Sequence, residues 1–224
     1  RNNVGSLELL GYVILSDPYN GHPLVIIDDH WTYSLRSAAA PIVAAKWLAP
    51  AFPKILALVG IGTMGTSALT CLMELFPFTQ IRCTSRRAET RQAFAQKISS
   101  QFCIETIACD SAEEAVSNAD IVVGSTTSSD VMCREAWLKK GALFISLARR
   151  ELAPDDWQKM DKVVVDSWEL NMTQPVFRNM VESDLFSRDR LHAEIADVVC
   201  GDRIGRAHAD EKILIHTGGL VSQD

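Results

Sequence analysis

The hydrophobic and polar positions along this chain fall into two regimes. Residues Leu7–Ser16 alternate loosely and are rich in β-formers, the turn Asp17-Pro18-Tyr19-Asn20-Gly21 follows, and Pro23–Ile27 continues as a second strand. That pattern predicts a β-hairpin with a long loop. Leu35–Leu48 is alanine-rich, weakly amphipathic and stopped near Pro50, which predicts a helix buried on most of its sides.

From Ile55 onward, short apolar runs alternate with helical stretches. Strands are expected at Ile55–Val59, Gln80–Cys83, Ile104–Ala108, Ile121–Gly124, Leu143–Leu147 and Val163–Val165. Helices are expected at Met64–Phe76, Glu89–Ser99, Ala112–Asn118 and Glu135–Leu138, the third opened by a capping box at Ser111-x-x-Glu114. Apolar strands separated by helices imply a parallel sheet buried on both faces, a doubly wound α/β domain. Beyond Asp166 the pattern loosens: Leu185–Cys200 reads as helical, and Lys212–Ile215 as a last strand before Thr217-Gly218-Gly219.

Composition then removes several classes of function. Net charge is −6 and the pI about 5.4, so no broad basic surface points to nucleic acid or an anionic membrane. The longest apolar stretch, Ala38–Phe52, is broken by Pro41, Lys46 and Pro50 and falls short of the ~20 residues of a membrane span. The 6 cysteines contain no C-x-x-C pair and the 5 histidines no ligand spacing, so neither a metal site nor a disulfide frame is expected. Free thiols and the lack of a signal-peptide pattern after Arg1 give a reducing cytoplasm as the expected location.

The motif that carries chemistry is Gly60-Ile61-Gly62-Thr63-Met64-Gly65, set between a strand and a helix as a G-x-G-x-x-G match requires. The first glycine allows the tight turn, the second admits a pyrophosphate to the backbone, and Gly65 lets helix and strand pack closely. The helix N-terminus then faces the anion. In NAD-specific folds an acid about 20 residues further on binds the adenosine ribose. Here the second strand ends in Ser85-Arg86-Arg87, with no acid, which suits a 2′-phosphate and favours NADP(H) over NAD(H). A solvated basic loop is the alternative reading.

Two further stretches are ambiguous on chemistry alone. Gly124-Ser125-Thr126-Thr127-Ser128-Ser129-Asp130 puts hydroxyls where such sheets bind ligands, yet these are also ordinary turn residues. Arg36, beside small residues at a helix start, could hold a carboxylate bidentately. A surface arginine is the plainer explanation of it.

Several stretches together carry a resemblance. They are Leu35-Arg36-Ser37-Ala38-Ala39, Ala44-Ala45-Lys46-Trp47-Leu48-Ala49, the glycine turn, Ala119-Asp120-Ile121-Val122-Val123, Val163-Val164-Val165-Asp166-Ser167 and His192-Ala193-Glu194-Ile195. The most specific is Gly201-Asp202-Arg203-Ile204-Gly205-Arg206 with Thr217–Asp224. Over nearly its whole length the chain resembles the ornithine cyclodeaminase/mu-crystallin family. The resemblance implies an NAD(P)-binding Rossmann domain over 50–216. Residues 1–49 would be a remnant of a smaller α+β substrate and dimerisation domain, to which 217–224 begin the return.

By the same resemblance Arg36 would hold the substrate carboxylate and Ser37 would lie beside the cofactor phosphates. Gly62, Thr63 and Met64 would face the pyrophosphate, and Ser85 with Arg86 the adenosine ribose. Thr126, Ser146, Leu147 and Thr217 match positions lining the cofactor groove, and Asp224 an acid near the inter-domain cleft. Two departures stand out: the segment bearing the family's active-site lysine is absent from this sequence, and Lys46 does not replace it. The Ser146–Leu152 loop also lacks the catalytic aspartate of the cyclodeaminases. The expected function is an NADP(H)-dependent oxidoreductase acting on the C–N bond of a small amino or imino acid, as a homodimer. An ornithine cyclodeaminase-type ammonia lyase with bound NAD and a non-enzymatic, crystallin-like NADPH binder are the alternatives.

Overall fold

The computed structural model describes residues 11–126, 128, 130–148 and 151–218. A hairpin of β1 (Tyr12–Ser16) and β2 (Pro23–Asp28) leads into the long helix α1 (His30–Leu48). Strands β3 (Ile55–Val59), β4 (Gln80–Thr84) and β5 (Glu105–Ala108) follow, then β6 (Ile121–Gly124), β7 (Leu143–Ser146), β8 (Lys162–Val165), β9 (Ala193–Glu194) and β10 (Ile213–His216). These make one 8-stranded sheet in the order β5-β4-β3-β6-β7-β10-β8-β9. Every pairing in it is parallel. Helices α2 (Thr63–Met73), α3 (Ala88–Phe102) and α4 (Ala112–Val116) connect the first strands, and α5 (Trp168–Thr173), α6 (Pro175–Glu182) and α7 (Ile195–Cys200) lie in the second half.

Successive side chains of the central strands enter two different cores, as a sheet covered on both faces requires. Leu56, Leu58, Ile121, Val123, Leu143, Ile145, Ile213 and Ile215 pack on one side, with residues of α1, α2 and α3. Ala57, Val59, Val122, Phe144, Val163, Val165 and Leu214 pack on the other. The second core is closed by an aromatic cluster in which Trp157 meets Phe186 and Phe177 edge-on, at centroid distances of 5.4 and 6.0 Å. Among the described residues, no helix is long and apolar enough to cross a membrane.

Helix α1 is part of the first core, through Ala38, Ile42, Ala44, Ala45 and Leu48, and it lies along α2 and against β7 and β10. Its end is gripped from far away in sequence. Arg206 donates from its backbone N–H to Trp47 O (2.8 Å) and from Nε to Leu48 O (3.0 Å), so it satisfies carbonyls that a helix end leaves unpaired. Gly205 is a glycine because a Cβ there would stand 2.4 Å from Trp47 O. The β1–β2 hairpin differs in kind, since Tyr12, Ile14, Leu15, Leu24, Ile26 and Ile27 are all exposed.

Two sequence expectations need correction. Glu135–Leu138 is only a 3-10 turn, Glu135–Trp137, whose first N–H donates to Asp156 Oδ2 (3.0 Å) instead of entering a longer helix. Leu185–Cys200 is not one helix. It comprises a 3-10 turn at Arg188–Arg190, the edge strand β9 and the short α7. His192 N–H bonds to Val163 O (2.9 Å), which draws the chain into the sheet, and the Glu194/Asp197 capping box starts α7 only at Ile195. Its apolar spacing arose from three elements facing one core. Helices α5 and α6 were not expected, although Ser167 caps the first and Pro175 opens the second. The Ser111 cap is present, with Glu114 N–H donating to Ser111 Oγ at 3.0 Å.

Asp120 ties the sheet together at the opposite end from the glycine turn. Its Oδ2 accepts the N–H groups of Lys54 (2.7 Å) and Ile55 (2.8 Å), and Oδ1 pairs with the Lys139 ammonium. Burial opposes its charge, but Lys139 and the two N–H groups outweigh that and hold the carboxyl below its usual range. A group with a depressed folded pKa stabilises above its unfolded value of about 3.9 and loses that contribution as pH falls through the folded value. Asp120→Ala should therefore lower the urea-unfolding free energy by about 2 kcal/mol at neutral pH, from two orphaned N–H groups and a lost ion pair. The difference from wild type should shrink below about pH 4.

Candidate dinucleotide site

The turn after β3 is a tightly packed structure with one open position. Gly60 has φ +98°, and a Cβ on it would lie 2.7 Å from Ser125 O. A Cβ on Gly65 would lie 2.2 Å from Gly60 O and 2.7 Å from Ser125 Oγ, and that hydroxyl donates to Gly60 O at 2.9 Å. Gly62 is different: among the described residues, apart from its chain neighbours, no heavy atom lies within 4 Å of where its Cβ would stand. It is also the N-cap of α2, with no side-chain cap and no acid in the first turn. The first bond back into the turn is Thr66 N–H to Gly62 O, so the N–H groups of Thr63, Met64 and Gly65 have no partner within the helix. Open space beside free donors at a positive helix end fits a diphosphate.

The Ser85–Arg87 turn lies beside it because β3 and β4 pair in register, Val59 opposite Thr84, and Gly60 N–H donates to Thr84 O (3.1 Å). Arg86 and Arg87 are exposed, and among the described residues no ion pair engages either. Ser85 Oγ donates to Arg87 O (3.2 Å), and Arg91 bridges Ser85 O (3.3 Å) to the Asp110 carboxylate.

On the other side of β3 the ends of β6, β7 and β10 converge. Gly124 pairs with Ser146 and Ser146 with His216, while the Leu147 N–H donates to Gly124 O and the Thr217 N–H to Ser146 O. Ser146-Leu147 and Thr217 are thereby neighbours, and Thr126 joins them because one carboxylate, that of Glu151, accepts from both the Thr126 N–H and the Ser146 hydroxyl. Sequence reasoning missed two residues of this cluster, Glu151 and His216, both buried. Glu151 Oε2 accepts from Ser146 Oγ (2.8 Å), and Ser146 Oγ lies 3.1 Å from His216 Nδ1. The signal for His216 was a polar residue closing the apolar run Ile213-Leu214-Ile215. Nothing local marks Glu151 as buried.

Burial pushes His216 down to about 4 against the opposing pull of Asp166. Its ring sits 4.9 Å from the Trp157 centroid and stacks on Phe177, so the imidazole is a neutral member of the aromatic core. Asp166 Oδ1 accepts from Asn171 Nδ2 (2.6 Å) and from the Gly218 N–H (3.0 Å), which fixes the chain just beyond Thr217.

Arg36 and Ser37 stand on α1. Arg36 lies 3.7 Å from Asp29 Oδ2 with its guanidinium 5.2 Å from the Tyr33 ring centroid. Ser37 Oγ is buried without a hydrogen-bond partner among the described residues. Asp224 lies outside the described residues.

A sequence model of the ornithine cyclodeaminase/mu-crystallin family matches residues 3–224. The chain belongs to this family. It is 32% identical over 217 residues to the N-((2S)-2-amino-2-carboxyethyl)-L-glutamate dehydrogenase of Staphylococcus aureus, covering 96% of this chain and 65% of that protein. A Bacillus cereus Delta(1)-pyrroline-2-carboxylate reductase is 28% identical over 230 residues, with 100% and 70% covered. Among solved structures, the Thermococcus litoralis Delta(1)-pyrroline-2-carboxylate reductase in complex with NADH and L-proline superposes with a TM-score of 0.85 at 25% identity, covering 96% of this chain and 70% of that one. The chain thus spans about two thirds of the length of these relatives.

Several of the stretches that carry the family resemblance are architectural here. Glu194 caps α7 and accepts the Trp168 N–H (2.8 Å), His192 Nε2 bonds Ile204 O (2.8 Å), and Gly205-Arg206 closes α1.

Gly65 and Gly62 should separate on substitution. Gly65→Ala should cost roughly 1–3 kcal/mol in urea unfolding, because the new methyl meets backbone oxygen. Gly62→Ala should unfold within about 0.5 kcal/mol of wild type, since its space is open. For His216, the unfolded chain takes up a proton near pH 6.5 while the folded chain resists until about 4. Stability should therefore fall as pH drops from about 6.5 to 4, by about 3 kcal/mol at most, and a His216→Phe variant should lack that slope.

Proposed function

We propose that the protein is an NADP(H)-dependent oxidoreductase acting on the C–N bond of a small amino or imino acid. The observation that carries the reading is the open Gly62 position over unpaired helix N–H groups, beside an acid-free turn bearing Arg86 and Arg87. The reaction class is supported by the relatives, whose names are those of a dehydrogenase and reductases acting on amino or imino acids. Preference for the 2′-phosphorylated cofactor rests on Arg86 and Arg87, two exposed guanidinium groups with no carboxylate between them to repel a phosphate.

A bound nicotinamide would supply the hydride. The chain's own residues do the rest. The N–H groups of Thr63 and Met64 hold the diphosphate, and Ser37 Oγ, buried and unpartnered, suits a phosphate oxygen. Thr126, Ser146, Leu147 and Thr217 form the floor under the reacting half, at the strand ends on the far side of β3. Arg36 anchors the substrate carboxylate and so fixes the orientation of the reacting carbon, a proximity effect.

NADPH oxidation should be followed with the protein against a panel of cyclic imines, and of pyruvate or glyoxylate with amines. Reduction of at least one member is expected. Conversion of ornithine to proline and ammonia without net cofactor turnover, with no reduction of any member, would show the oxidoreductase reading to be wrong. Arg86→Asp should weaken NADPH binding at least tenfold more than NADH binding, as measured by fluorescence titration. Equal losses for the two cofactors would sink the 2′-phosphate assignment.

A further inference from the structure

Glu151 is a buried carboxylate at the carboxyl end of the sheet that this reading leaves without a task. It is 1% exposed. Its Oε1 accepts the Thr126 N–H at 3.1 Å, and its Oε2 accepts the Ser146 hydroxyl at 2.8 Å. One side chain thus joins the turn after β6 to the last residue of β7. The room for it is made by Gly124, where a Cβ would stand 2.5 Å from both Cβ and Cγ of Glu151. The backbone is pinned as well, with the Cys133 N–H donating to Glu151 O at 2.7 Å and a parallel bridge from Cys133 to Leu152.

A carboxylate so placed is costly. Burial pushes it above its usual range, opposed by the Ser146 hydroxyl and by backbone N–H groups of Thr126, Ala148 and Glu151 itself. No lysine or arginine pairs with it among the described residues. Among the described residues, hydrogen bonds rather than a countercharge hold it, and the two it makes to Thr126 and Ser146 both end at the floor of the crevice. If the side chain served only to fill space, an apolar residue of that size would do so without the desolvation cost.

We propose that Glu151 is a positioning residue: by hydrogen-bonding Thr126 and Ser146 at once, it holds the ends of β6 and β7 at the spacing needed to seat the nicotinamide half of a dinucleotide. The inference rests on the dinucleotide reading. The strand order makes it specific to one half of the ligand, because the glycine turn and the Ser85–Arg87 turn lie at the ends of β3 and β4, on the other side of the crevice. Loss of the Glu151 link should spare the adenosine and diphosphate contacts, because the glycine turn keeps its own ties to the β6 turn, from Ser125 N–H to Val59 O and from Ser125 Oγ to Gly60 O.

Two variants and two probes test it. Glu151→Met keeps the volume and removes both hydrogen bonds, whereas Glu151→Gln can still accept from Thr126 and donate to Ser146 Oγ. Isothermal titration with ADP, which reaches only the adenosine and diphosphate contacts, is compared with titration by NADH and NADPH. Glu151→Met should bind both dinucleotides about tenfold more weakly with ADP affinity within twofold of wild type, and Glu151→Gln should restore dinucleotide affinity. Should Glu151→Met not fold, Glu151→Asp, one methylene too short to reach both partners, is expected to show the same split. Equal losses for ADP and the dinucleotides, or failure of Gln to restore binding, overturn the positioning role. Wild-type protein that binds neither ADP nor any dinucleotide overturns the dinucleotide reading and this inference with it.

Discussion

A parallel sheet covered on both faces has no place for a polar group except beyond the ends of its strands. Along β3, β6, β7 and β10 nearly every side chain is buried in one of two apolar cores, so the sheet interior is closed to water and to ligand alike. Polar chemistry is forced to the carboxyl end, where the strands release the chain into turns. The glycines, the hydroxyls of Ser125, Thr126 and Ser146, and the guanidinium groups of Arg86 and Arg87 are all found there. Asp120, at the amino end, is the counterpart that keeps the opposite rim shut.

That constraint also explains how polar groups can be buried so near the site without being unpaired. Glu151, Ser146 and His216 form a continuous run of hydrogen-bonding distances from the β6 turn to the aromatic core. Each member satisfies the next, and among the described residues no cation pairs with any of them. A run of that kind holds its geometry only while every link is intact. The backbone that carries it is correspondingly rigid, fixed by the Thr217 and Leu147 N–H groups as well as by the strands.

How much of this could be read from the sequence depended on how local the signal was. The glycine turn, the alternation of strands and helices, and the Ser111 cap are written within a few residues, and the structure forms them where the pattern placed them. The region after Asp166 was misread because α5, β9 and α7 are each six residues or fewer, too short for periodicity to distinguish them. Glu151 was invisible for a different reason. Its burial is decided by Gly124, on another strand, and by Thr126 in the turn that follows it, and an acid in a loop gives no hint of that. The resemblance drew attention to Gly205-Arg206 and Glu194 without saying why they are there. Their contacts give the reason: they close helix ends.

Pro41 stands in the middle of α1 and gives that helix a division of labour. Proline has no N–H to offer the carbonyl one turn before it, which belongs to Ser37, so the helix lacks a rung between its two halves. Beyond the break, Ala44, Ala45 and Leu48 are sealed in the core and Arg206 grips the last carbonyls. Before it lie Arg36 and Ser37, on the half that this anchor does not reach. Arg36 is roughly 18 Å along the helix axis from Leu48, so a tilt of about two degrees about the far end shifts it by only ~0.6 Å. The same tilt about Pro41 shifts it less still and disturbs nothing behind the proline. The two halves thus share one core, the first through Ala38 alone among its apolar side chains and the second through Ile42, Ala44, Ala45 and Leu48, and they differ in that only the second is also gripped at its end.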